Sequence, residues 1–143
     1  MLVDANLLLY AVDSRSRHNR AAAEWLEEVL GGDRRVGIPW QTIGAFLRIS
    51  THPRVATNPL APRDAWRYVE AWLAADPVWV PPATERTASV LAALVEKHDV
   101  SANLVTDAQI AALAIEHGLT VMSADSDFAR FDELSWKNPL SGP

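Results

Sequence analysis

The sequence of 143 residues contains no cysteine, which excludes disulfide bonds, thiolate zinc sites and cysteine nucleophiles. None of its apolar runs approaches the roughly 20 residues needed to cross a bilayer, and no basic segment with a cleavage site predicts a signal peptide. A glycine-rich phosphate loop is also missing, which argues against a nucleoside-triphosphate enzyme. We therefore expect a cytoplasmic globular protein with no membrane contact.

The length predicts a single domain over residues 1–143, with a flexible tail at about 138–143. A net charge of −5 argues against a general nucleic-acid coat. The charge is uneven, because residues 1–71 carry nine basic and eight acidic side chains while residues 72–143 carry four and ten. Arginines of the first half could form a rim that binds RNA phosphates, or they could only solvate helix faces. The candidates for RNA binding are Arg15, Arg17, Arg20, Arg48 and Arg54.

Short apolar runs alternate along the chain with segments whose apolar residues recur at helical spacing. The runs predict strands at 1–4, 35–38, 78–80, 119–123 and 134–136. The helical segments are 5–12, 18–30, 40–51, 63–74, 87–98 and 103–117. This alternation predicts an α/β fold, with a central parallel sheet of four or five short strands flanked by helices on both faces.

Aspartates occur at matching places in this predicted fold. Asp4 ends the first strand, Asp125 and Asp127 follow the strand at 119–123, and Asp107 lies near the start of an otherwise apolar helix. Ligands of open α/β sheets bind at the carboxyl ends of strands, and neighbouring carboxylates repel one another unless a cation or protons intervene. The oxygen ligands favour Mg²⁺ or Mn²⁺. We predict that Asp4, Asp107 and Asp125 bind a metal ion; the alternative is that they are ordinary caps and turn residues.

Supporting roles are predicted for two further polar residues. Asn6 is expected to hydrogen-bond to Asp4 and hold its orientation, or else to be only a helix N-terminal residue. Asp127 is expected to form the turn or to support the metal ligands rather than to bind the ion itself. Tryptophans could stack on RNA bases, but the helical spacing of Trp25, Trp66 and Trp72 favours the core or an interface.

Three motifs resemble those of PIN-domain ribonucleases. They are Asp4-Ala5-Asn6 after the first strand, the segment from Thr106 to Ala114, and the segment from Val121 to Phe128, in which Ser123 stands where threonine is common. Length and element order agree over the whole chain. Single-domain chains of this size resemble the VapC toxins of bacterial toxin–antitoxin modules.

This resemblance implies a PIN-like three-layer fold and an Mg²⁺-dependent endoribonuclease, with Mn²⁺ as a substitute ion. Its catalytic residues and metal ligands would be Asp4, Asp107 and Asp125. It also implies a homodimer that is inhibited by a small cognate antitoxin. One departure stands out, because the glutamate usual in the helix after the second strand would fall near Ala45, and no acid occurs between Asp33 and Asp64.

Two other functions are compatible with parts of the sequence. The chain could be a binding module of the same fold whose catalysis is weakened by the missing glutamate, and which acts through antitoxin or RNA binding. It could also be an Mg²⁺ phosphotransfer protein, which needs a supporting lysine. The only lysines are Lys97 and Lys137, and neither follows a buried strand. We therefore favour the ribonuclease over the phosphotransfer protein.

Overall fold

The computed structural model describes residues 1–142, in which six α-helices flank a sheet of five short strands. The strands are β1 (Leu2–Val3), β2 (Val36–Gly37), β3 (Val78–Trp79), β4 (Val121–Met122) and β5 (Trp136–Lys137). The helices are α1 (Ala5–Val12), α2 (Asn19–Leu30), α3 (Trp40–Ser50), α4 (Pro62–Ala74), α5 (Thr87–His98) and α6 (Leu104–His117), and a 3₁₀ turn spans Ser126–Arg130. Within this part of the chain no helix has the length and apolar character of a membrane span.

The sheet is parallel throughout and has the strand order β3-β2-β1-β4-β5. The first strand of the chain is thus its centre, where Leu2 pairs with Gly37 on one side and Val121 on the other. Gly37 is needed for packing, because a Cβ there would lie 2.8 Å from Cγ of Pro81. The predicted α/β fold with a parallel sheet is confirmed.

Each face of the sheet covers its own hydrophobic core. Leu2 packs on the face shared by α5 and α6, whereas Val3 packs on the face shared by α1 to α4. Both side chains are fully buried, and they point in opposite directions because successive residues of a strand alternate. α6 is buried nearly all round, as its apolar sequence predicts. The result is three layers, with helices on both sides of the sheet.

Some details at the C-terminal end differ from expectation. The last strand lies at Trp136–Lys137 instead of 134–136, since pairing with β4 begins only at Trp136, although both Leu134 and Trp136 pack against the α5–α6 core. Leu140, in the tail predicted to be flexible, packs against the core on the α1–α4 face. Flexibility of this tail remains a prediction, and its last residue, Pro143, lies outside the described residues.

The two tryptophans on α4 differ in burial. Trp72 is buried and meets Phe46 edge to face, with ring centroids 4.8 Å apart. Trp66 is 44% exposed. Tyr68 is also exposed, but its ring lies near that of Trp72, with centroids 5.9 Å apart, and not beside Trp66. Trp25 is partly buried against the same core as Trp72. The core assignment therefore holds for Trp72, while Trp66 is free to contact a partner.

Candidate metal centre

Asp4 lies at the carboxyl end of the central strand, where it caps α1. Its Oδ1 accepts a hydrogen bond from the Ala5 amide at 2.8 Å, and its Oδ2 accepts one from the Ser123 hydroxyl at 2.7 Å. Burial raises the pKa of the Asp4 carboxyl, the two hydrogen bonds oppose this rise, and the charge of Asp125 adds to it. Asp4 is thus held in one orientation at the edge of the sheet, as its place after a buried strand predicts.

Ser123 connects the polar groups at this edge. It is fully buried directly after β4. Its hydroxyl donates to Asp4 and accepts hydrogen bonds from Nδ2 of Asn6 and from the Asp125 amide, both at 3.0 Å. A hydroxyl has one donor and two acceptor positions, and all three are used here. Ser123 was not predicted as a site residue, although its place in the third motif was a usable signal.

Asn6 does not hydrogen-bond to Asp4, so the prediction of a direct contact is wrong. Its amide nitrogen donates to Ser123, and its Oδ1 accepts a hydrogen bond from the Ala124 amide at 3.2 Å. Asn6 therefore fastens the turn after β4 to the first turn of α1. It reaches Asp4 only through the shared hydroxyl of Ser123, because β4 brings that hydroxyl between the two side chains.

Asp107, Asp125 and Asp127 form an acidic cluster in which one carboxylate oxygen from each lies within 4.8 Å of the others. α6 supplies Asp107 from its first turn, and the 3₁₀ turn supplies the other two. Asp125 caps that turn by accepting a hydrogen bond from the Asp127 amide at 2.9 Å. The structure thus brings together Asp107 and Asp125 and adds Asp127 to them, whereas Asp4, the third predicted ligand, is not among the carboxylates that meet at this spacing.

The electrostatics of the cluster favour a bound cation. Burial raises the pKa of Asp107 to about 7, and the negative charges of Asp4, Asp125 and Asp127 contribute to the rise. Arg130 opposes it, but this is the smallest of the influences on Asp107. Carboxylates that lie this close repel one another unless protons or positive charge are nearby. Oxygen ligands of this kind suit a hard divalent ion.

The first turn of α3 also borders the site. The buried hydroxyl of Thr42 donates to the Val3 carbonyl at 2.8 Å, which fixes α3 beside the end of β1. Ala45 lies three residues further along, on the same side of the helix, and it is partly buried. This placement supports the prediction that Ala45 faces the acids at the position where the resemblance implies a glutamate.

All five arginines predicted to bind RNA are exposed. Arg20 is paired with Glu24 at 3.0 Å. Arg15 reaches the Thr57 carbonyl at 3.5 Å. The other three are Arg17, Arg48 and Arg54; together with Arg15 they form no ion pair among residues 1–142. Their role in RNA binding stays a prediction.

A second group of possible metal ligands consists of His98, Asp132 and Glu133. Here Nζ of Lys97 already binds both carboxylates, at 2.9 Å to Asp132 and 2.6 Å to Glu133. Nε2 of His98 lies 3.0 Å from Glu133. These contacts fasten the end of α5 to the loop before β5, so the acidic charges have a structural partner that the acids near Asp4 lack.

The sequence matches the PIN domain family over residues 1–134. A central parallel sheet with acidic side chains at its carboxyl edge is the arrangement found here. Fold and site together therefore define a PIN domain.

The curated relatives narrow the family further. The chain is 41% identical to Ribonuclease VapC37 of Mycobacterium tuberculosis over 138 residues, which are 96% of each chain. It is 38% identical to Ribonuclease VapC33 of the same organism, over 98% of each chain. The protein belongs to the VapC family of PIN-domain proteins.

The fold is also shared with a solved structure of VapBC2 from Rickettsia felis bound to a DNA fragment from its promoter. That match has a TM-score of 0.66 and 17% identity, and it covers 96% of each chain. At this identity the likeness establishes the three-layer fold alone.

Proposed function

We propose that this protein is the toxic component of a toxin–antitoxin module and acts as an Mg²⁺-dependent endoribonuclease on RNA phosphodiester bonds. The observation that carries the proposal is the acidic cluster of Asp107, Asp125 and Asp127 beside Asp4, at the carboxyl edge of the sheet. The identity to curated ribonucleases over almost the full chain supports the reaction type.

The donor set fits a divalent cation, because it offers several carboxylates and no sulfur or imidazole ligand. Asp4, Asp107 and Asp125 would hold Mg²⁺, with Mn²⁺ as a substitute. Asp127 joins them as a direct ligand candidate, since one of its carboxylate oxygens lies within 4.8 Å of those of Asp107 and Asp125. When bound, such an ion lowers the pKa of water and offsets the charge on a phosphodiester.

The surrounding residues position these ligands. Both oxygens of Asp4 accept a hydrogen bond, but a carboxylate has further lone pairs with which to bind a cation. Ser123 and Asn6 keep Asp4 and the turn after β4 at a fixed separation. Exposed arginines of the first half would bind phosphates on either side of the cleaved bond.

The protein is also proposed to form a homodimer in the cytoplasm and to be silenced by a cognate antitoxin. The exposed Trp66 on α4 supports an interface there, because large aromatic side chains are enriched in protein contacts. A toxin–antitoxin complex from Klebsiella pneumoniae shares this fold, with a TM-score of 0.64 and 19% identity over 96% of each chain.

A second function remains open because Ala45 occupies the place of the usual glutamate. With one carboxylate fewer, the domain could bind antitoxin and RNA but cleave poorly, since each lost ligand weakens a hard-cation site. The two functions therefore predict different rates of RNA cleavage but the same binding of antitoxin and RNA.

The test is cleavage of total cellular RNA by purified protein, in Mg²⁺, Mn²⁺, Ca²⁺ or EDTA, with mapping of the new ends. We expect cleavage with Mg²⁺ and Mn²⁺, little with Ca²⁺, and none for Asp107→Asn. Asp132→Asn is the matched control, since it makes the same change in an exposed ion pair and should cut normally. Undiminished cleavage in EDTA would contradict the mechanism, and RNA binding without cleavage in any metal would favour the second function.

A further inference from the structure

A cavity of about 330 Å³ lies where the last turns of α1 and α3 meet the loops that follow them. Its apolar lining includes Leu9, Val12, Ile49 and Leu60. The volume falls at the lower end of the roughly 300–1,000 Å³ typical of ligand pockets. It therefore has room for a single small ring system and not for a large cofactor.

Polar groups are placed within this apolar lining. Ser50 is 5% exposed, and its hydroxyl has no hydrogen-bond partner anywhere in residues 1–142. Asp13 and Asn58 add side-chain oxygens and an amide to the lining. Solvent does not reach the Ser50 hydroxyl, so the polar side chains that orient a ligand in this apolar pocket include those of Asp13 and Asn58 instead.

The cavity lies along the helices α1 and α3 from the acidic site. Asn6, which contacts Ser123 at that site, shares one face of α1 with Tyr10 and Asp13, which line the cavity. On α3, Ile49 lies one turn beyond Ala45. The eight residues of α1 span about 12 Å at 1.5 Å per residue. A strand of a few nucleotides bound at the acids would reach the cavity.

The charge around the cavity matches a phosphodiester chain. Arg15 lines it, and Arg17, Arg48 and Arg54 lie on the two loops or the helix end that surround it. All four are exposed and form no ion pair within the described part of the chain. The protein as a whole carries a net charge of −5. These arginines therefore form a local region of positive charge, which favours the binding of phosphates.

We propose that this cavity binds an unpaired nucleobase of the RNA, a few nucleotides from the cleaved bond, while the arginines bind the adjoining phosphates. Single-stranded RNA is recognised by splaying bases into pockets of this kind. The inference rests on the proposed ribonuclease function and extends it, because the cavity would then select the sequence at one position of the substrate.

The test uses the whole protein in two assays. In EDTA, nucleoside 5′-monophosphates are titrated one by one against ¹⁵N-labelled protein. The amides of residues 9–16 and 49–60 should shift, and one base should bind better than the others. In Mg²⁺, cleavage of a randomised RNA should show a base preference at one fixed distance from the cut.

Thr57→Trp supplies the blocking variant, because Thr57 is exposed on the loop that lines the cavity. It should weaken nucleotide binding about tenfold and erase the base preference, since stacking of a base is worth that much or more. Ala83→Trp, on an exposed loop before α5, is the matched control and should change neither. Arg15→Gln should lower the salt dependence of RNA binding, whereas Arg20→Gln, already paired with Glu24, should change it less.

The outcomes separate this proposal from the proposed function. If the protein cleaves RNA, but the amides of the cavity do not shift with nucleotides and the base preference persists in Thr57→Trp, the cavity proposal alone is wrong. If the protein does not cleave RNA but binds nucleotides at these amides, the proposed ribonuclease function is wrong and the cavity proposal stands. If Thr57→Trp spares nucleotide binding and instead weakens retention of a co-expressed antitoxin, the cavity is a protein contact and the proposal is wrong.

Discussion

Replacing Ser123 by alanine is the sharpest test of how the acidic site is held together. The Ser123 hydroxyl is fully buried and makes three hydrogen bonds, to Asp4, Asn6 and the Asp125 amide. Alanine removes one oxygen and leaves all three partners without that contact. The change creates almost no cavity, so its effect reports the hydrogen bonds and little else.

The expected loss of stability follows from these partners. A hydrogen bond to a charged group contributes about 1.5–3 kcal/mol, and a buried group left unpaired costs about 1–3 kcal/mol. Asp4 and Asn6 are only partly buried, so water can reach them once the hydroxyl is gone. We therefore expect a net loss of about 2–4 kcal/mol, which for a domain of this size lowers Tm by roughly 6–16 °C.

Ser50→Ala is the matched control, because Ser50 is also buried but its hydroxyl has no partner among residues 1–142. This variant should be neutral or slightly stabilising, since it removes an unpaired polar atom. Thermal and urea unfolding in EDTA measure both variants. Equal losses for Ser123→Ala and Ser50→Ala would refute the reasoning, because the hydrogen-bond network would then contribute nothing.

Three further outcomes are expected. Burial and the neighbouring acids raise the pKa of Asp107 from its ordinary value of 3.8 to about 7, so the folded state binds the proton more tightly than the unfolded chain. The Tm without metal should therefore fall as pH rises from about 4 to 7, and Asp107→Asn should flatten that profile. Ala45→Glu should lower Tm in EDTA, because it adds a carboxylate to a group of acids that repel one another. In millimolar Mn²⁺ the same variant should gain more in Tm than the wild type does. Equal shifts of Tm in both buffers would mean that Ala45 does not face the acids. Trp66→Ser should convert a dimer to monomers in light scattering with little change in Tm, because Trp66 is already 44% exposed; a wild-type monomer at micromolar concentration would contradict this.

Helical periodicity made most of the fold predictable from the sequence. The observed helices begin and end within a residue or two of the apolar segments, because one buried face determines the extent of each helix. The strands were harder to place, since each pairs over only two residues. Leu134 and Trp136 both supplied an apolar signal and both pack against the same core, yet only Trp136 pairs in the sheet.

Within the site, the aspartates were predictable and their connections were not. Asp4, Asp107 and Asp125 could be placed because each stands at the end of an element. The role of Ser123 depends on contacts to residues 117 and 119 positions away in the chain, which no local pattern reports. For the same reason Asp127 was assigned only to the turn. Asp107 comes close to it through the position of α6 in the fold, which the local sequence does not report.

The strand order also determines when the site can exist during synthesis. Asp4 lies on the central strand and is made first, but the hydroxyl that orients it is 119 residues later. A growing chain lacks β4 and the acidic turn until Asp127 has been added, and these residues must then pair with β1 across a long loop. If the chain cleaves RNA, as proposed, a ribosome that has not yet translated this turn holds a nascent chain without an assembled active site.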